Sequence, residues 1–108
     1  MWEEQLKLYD EIASLAKIER KGKTTAYTSS NGYMFSFLNK AGELGIRLSK
    51  EDRILFLKEN PSCGVFYSHG ATMREYVLIP DSLLISSKKI VTSYLNRSLT
   101  YVNTLKPK

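Results

Sequence analysis

The sequence predicts an α+β two-layer domain: a helix, a three-stranded antiparallel meander, a second helix, one or two strands and a C-terminal helix, with the helices on one face of the sheet. Three observations carry this. An amphipathic pattern opens the chain, turn signals at Asn31-Gly32 and Asn39–Gly42 cut residues 23–48 into three strand-length runs, and a second apolar stripe at helical spacing closes it.

The first helix is expected over Trp2 to Ile18. Leu8, Ile12 and Leu15 fall at i, i+4 and i+7, with Tyr9, Ala13 and Ala16 widening the stripe. Glu3, Glu4, Asp10 and Glu11 lie toward its first half and Lys17 near its end, which suits the helix dipole. The segment Arg20-Lys21-Gly22-Lys23 then breaks the helix.

Strands follow over about Lys23–Ser29, Tyr33–Leu38 and Glu43–Leu48. Asn31-Gly32 is a strong signal for a two-residue hairpin, because both central positions of a type I′ turn need positive φ. A two-residue loop there and a four-residue loop at Asn39–Gly42 set the register. Phe35, Phe37, Leu44, Ile46 and Leu48 then share a core face, while Thr25, Tyr27, Ser29, Met34, Ser36, Leu38, Gly45 and Arg47 share an open one.

Ser49 reads as the N-cap of a second helix, with Asp52 three residues on, and Asn60-Pro61 ends that helix near Glu59. Cys63 to Tyr67 and Arg74 to Ile79 are strand candidates around a Ser68-His69-Gly70 turn. Asp81 caps a C-terminal helical region that breaks near Ser86-Ser87. Its stripe is Val91, Tyr94, Leu95, Tyr101, Val102 and Leu105, and Pro107 stops it.

Residues 1–108 suit one domain with one core, and 43% hydrophobic with 25% charged residues is ordinary for a soluble globular chain. Cys63 is the lone cysteine, so no intrachain disulfide forms, and a reducing cytoplasmic location is expected. No secretory signal pattern opens the chain, and its apolar runs are too short to span a bilayer. The net charge of +5 is uneven: residues 1–54 carry nine basic and eight acidic side chains, residues 55–108 seven and three.

Candidate chemistry is sparse. One His and one Cys make no clustered metal site, and Cys63 with His69 reads as a buried small side chain and a turn residue before it reads as a nucleophile and its base. The glycines serve turns and a strand, and none opens a helix as a phosphate loop does. No catalytic residue, cofactor or metal is expected. Two surface features remain. Tyr27, Met34, Leu38 and Arg47 on the open sheet face are of types that favour a partner or dimer contact. Lys88, Lys89 and Arg97 on the last helix are candidate nucleic-acid contacts. The reading is a non-enzymatic binding or regulatory module acting through protein contacts, as a homodimer or with another protein. Weak electrostatic nucleic-acid binding in transcriptional control is the alternative.

Glu19-Arg20-Lys21, Asn31-Gly32-Tyr33-Met34-Phe35, Ile46-Arg47-Leu48 and Tyr76-Val77-Leu78-Ile79-Pro80 resemble the N-terminal domain of the TfoX (Sxy) family over about residues 5–105. The YjbR (MmcQ-like) proteins share a similar layout more distantly. The resemblance implies a small two-layer α/β domain and a link to the regulation of bacterial natural competence, with no catalytic residues. Thr24-Thr25-Ala26-Tyr27 stands where that family often has Met-Phe-Gly-Gly.

Overall fold

The first helix, α1 (Trp2–Leu15), buries Tyr9, Ile12 and Ala13 and leaves Leu15 exposed, so it stops three residues short of the expected end. The stop has a local cause. Lys17 takes φ +59°, its N–H donates to the Ser14 carbonyl, and the Ile18 N–H reaches back to the Ala13 carbonyl. This is a Schellman close with lysine in the left-handed position that glycine usually fills.

In the computed structural model, which describes residues 2–22, 25–60, 65–68 and 71–107, the first three strands are β1 (Ala26–Ser30), β2 (Tyr33–Leu38) and β3 (Leu44–Arg47). Next come α2 (Lys50–Glu59), β4 (Val65–Ser68), β5 (Ala71–Ile79), α3 (Asp81–Ser86) and α4 (Lys88–Thr104). The strands form one antiparallel sheet in the order β1-β2-β3-β5-β4. The two later strands are both present, and the C-terminal helical region breaks at Ser87 into two helices. Cys63 and His69 lie outside the described residues.

The first hairpin matches expectation: Asn31 and Gly32 take φ +58° and +83°, and Ser30 pairs with Tyr33. Two residues further, the register departs from it. A bulge makes Thr28 face Ser36 in place of Phe35, and Tyr27 and Ala26 then pair with Phe37 and Leu38. An extra residue in one strand puts two successive side chains on the same face. Phe35 and Ser36 therefore both face the helices, and Phe37 is turned away.

The second hairpin differs by one residue as well. Asn39 and Glu43 still pair, leaving Lys40-Ala41-Gly42 as the loop, with Gly42 at φ +82° and its N–H on the Asn39 carbonyl. A three-residue loop with a left-handed last residue suits a hairpin of this kind. The Asn39 side chain closes it further, accepting from the Glu43 N–H and donating to Glu43 Oε1. The bulge and the changed loop length offset each other, so Leu44, Ile46 and Leu48 keep their expected core positions.

Three rows of cross-strand partners result. Ala26, Leu38, Leu44 and Ile79 form one, and Thr28, Ser36, Ile46 and Val77 another, all buried under the helices. Tyr27, Phe37, Gly45 and Leu78 form the third row, on the opposite face. Buried hydroxyls in the helix-side rows are satisfied: Ser36 bonds both the Tyr9 and the Thr28 hydroxyl. The helix layer closes the core with Phe56 of α2, Leu84 of α3, and Val91, Tyr94, Leu95 and Val102 of α4. The Phe56 and Tyr94 rings meet edge to face with centroids 5.1 Å apart.

Candidate interaction surface

The sheet face without helices is built by the third row and its neighbours. Phe37, 4% exposed, lies within it, with Tyr27 half-buried on the neighbouring β1 and Leu78 half-buried two strands away on β5. Gly45 lies between Phe37 and Leu78 and brings no side chain. Met34, on the same face by alternation, is also half-buried.

Past Ser36 and Ile46 the β2–β3 ladder stops, and side chains take over its hydrogen bonds. The buried Ser98 hydroxyl of α4 serves the Phe35 carbonyl (3.2 Å) and the Arg47 carbonyl. The Tyr76 hydroxyl donates to the Met34 carbonyl at 2.8 Å. An unpaired buried carbonyl costs about 1–3 kcal/mol, so these two residues offset the opening of the sheet. Burial pushes the Tyr76 phenol up to about 12.

Two of the four residues expected on this face are there, Tyr27 and Met34. Leu38 is not: at 2% exposure it packs in the helix-side core, displaced there by the bulge. Arg47 is not free for a partner either. Its guanidinium binds Glu75 and lies 5.2 Å from the Tyr33 ring centroid and 5.8 Å from that of Tyr101 on α4. These contacts hold it toward the helix layer, where Tyr101 of α4 lies. Phe37, Leu78 and Tyr76 join the face in their place. Phe37 was hidden by the bulge, and the other two by the unknown register of β5.

The basic residues of α4 fare differently from one another. Lys88 pairs with Glu11 of α1 at 2.8 Å and Arg97 with Asp52 of α2 at 2.9 Å. Of the three, Lys89 stays exposed with no ion pair among the described residues, at the rim of a groove of about 720 Å³ between α4 and the start of α2. Asp52 and Arg97 also line that groove and neutralise each other there, so Lys89 alone is left as its unpaired charge among the described residues. Nearby, burial and the hydrogen bond to Glu59 push the Tyr94 phenol up to about 12.

Among the described residues no three His, Cys, Asp or Glu side chains converge as metal ligands, and no helix is long and apolar enough to cross a membrane. Comparison of the chain with protein-family models, curated proteins and solved structures gives no match, so the functional reading rests on the surface itself.

Proposed function

We propose that this protein is a non-enzymatic interaction module that presents its helix-free sheet face to a protein partner in a regulatory role. The observation that carries the reading is the row Tyr27–Phe37–Gly45–Leu78 crossing four strands, flanked by Met34 and Tyr76. Tyr and Met are enriched at the centres of protein interfaces, and Tyr27, Met34, Tyr76 and Leu78 stay half-buried around a Phe37 that the chain's own packing covers. The resemblance to the TfoX N-terminal domain points to the same kind of role. Nucleic-acid binding has less support, because Lys88 and Arg97 already neutralise Glu11 and Asp52.

The test is capture from a cell extract on immobilised protein, comparing the wild type with Tyr27→Asp and Met34→Asp. Both variants are expected to keep the wild-type circular dichroism spectrum and to lose the captured protein. Undiminished capture by both would leave the face as plain solvent-facing sheet. A parallel titration with labelled DNA at about 50 and 200 mM salt separates the alternative, since phosphate binding falls steeply over that range.

A further inference from the structure

Helix α2 carries the run Ile54-Leu55-Phe56-Leu57, yet of its side chains only Phe56 is buried. Ile54 is 59% exposed and Leu55 39%, and Leu57 is exposed beside them. Phe56 holds the helix against Tyr94, and Arg53 ties it to the Leu48 carbonyl at 2.7 Å. The exposed leucines and isoleucine are therefore not needed to dock α2 on its own fold.

We infer that this face of α2 binds a second copy of the chain, helix against antiparallel helix about a two-fold axis. Glu51, Ile54, Leu55 and Lys58 stand at i, i+3, i+4 and i+7 and so share one face, and all four are exposed. A two-fold axis that sets Ile54 against the partner's Leu55 also sets Glu51 against the partner's Lys58, and the converse pairs follow by symmetry. An isologous contact requires such self-complementarity, and one register supplies it for every position on the face. Neither Glu51 nor Lys58 is engaged in an ion pair among the described residues. A parallel pairing would bring Glu51 against Glu51 and Lys58 against Lys58, so charge selects the antiparallel arrangement, in which the helix dipoles also oppose.

The apolar surface continues past the helix. A groove of about 330 Å³ between α2 and α4 is lined by Leu55, Tyr94 and Ile90, the last 48% exposed, with Glu59, Lys89, Ser93 and Arg97 around them. A ten-residue helix is about 15 Å long, short for a standard interface, so the dimer belongs at the small, reversible end of the size range. This contact shares no residue with the sheet face and stands or falls separately from it.

Sedimentation of the full chain from roughly 1 µM to 1 mM reads the association directly, because an interface of modest size dissociates within that range. The wild type is expected to shift from monomer to dimer with concentration. Glu51→Lys alone and Lys58→Glu alone each place like charges at both ends of the contact and should leave monomers. An equimolar mixture of these two variants restores opposite charges at every pair and should sediment as a heterodimer. Ile54→Asp should be monomeric throughout, with circular dichroism confirming that each variant is folded. A wild type that stays monomeric at the highest concentration overturns the proposal and assigns the apolar patch to a different protein. A dimer that survives both charge reversals and Ile54→Asp overturns it too, by placing the contact elsewhere.

Discussion

At the residue scale, small departures from preferred chemistry mark where this chain is least comfortable. Lys17 holds a left-handed conformation that costs a side-chain-bearing residue about 1 kcal/mol or more, and its side chain is exposed. Lys17→Gly should stabilise the fold by about 1 kcal/mol, part of the relieved strain being offset by the freer unfolded chain. Urea denaturation reads this as a higher midpoint with an unchanged slope, and a lowered midpoint would contradict the Schellman close. Leu38 shows the limit of reasoning from residue type. Its place on a strand of alternating character was legible, but its face depended on a bulge at Phe35–Ser36 that no glycine or proline announces. The signal lies in Ser36: a buried serine is comfortable only if a partner such as the Tyr9 hydroxyl is brought to it.

At the scale of elements, the chain's turns were the most legible part, and what they do for distant elements was the least. Asn31-Gly32 announces its hairpin through backbone conformation alone. Nothing in the local sequence says that Asn31 Nδ2 also donates to the Val102 and Leu105 carbonyls at the end of α4, at 2.8 and 2.9 Å. Tyr33 adds a bond to the Lys106 carbonyl. The hairpin tip thus acts as a C-cap delivered from 71 residues away in the chain. Asn31→Asp retains the turn preference but removes the donor and sets a negative charge against the negative end of the helix dipole. It should cost about 2 kcal/mol, whereas Asn31→Gly, which only loses the two bonds, should cost less. Thermal unfolding of the pair checks the order, and equal losses would show that the turn alone matters. The same logic explains α2, whose cap and ends were readable from Ser49, Asp52 and Asn60 while its weak burial was not. Four apolar residues in succession point all around a helix, so the pattern gives no face.

At the scale of the whole molecule, the α+β order and the helix layer follow from periodicities that span many residues and tolerate single errors. The pairing of β5 beside β3 joins elements across α2 and β4, and no local pattern carries it. Ion pairs then stitch the helices to α4, from α1 through Glu11 and from α2 through Asp52. These pairs are partly exposed, so their contribution is small and falls with salt. Tyrosine is the more consequential titrating residue. Burial raises the phenols of Tyr9, Tyr76 and Tyr94, the latter two up to about 12, against an ordinary value near 10. The folded state therefore binds protons more tightly than the unfolded chain. The resulting stability is fully present below about pH 10 and is lost as pH rises toward 12. Denaturation midpoints should be flat from neutrality to about pH 9 and fall above pH 10, with the slow part of the phenolate absorbance appearing together with unfolding. Complete phenolate formation in a chain that stays folded would contradict the burial of these rings.

Trp2, the single tryptophan, donates from its indole Nε1 to the Asn39 carbonyl at 3.0 Å, on the hairpin turn that joins β2 to β3. Indole emission therefore comes from one joint alone, where the first turn of α1 rests on that hairpin. If α1 peels away before the sheet melts, the emission will redden while far-ultraviolet dichroism still reports strands. The molecule thus carries its own optical gauge of the order in which its two layers separate.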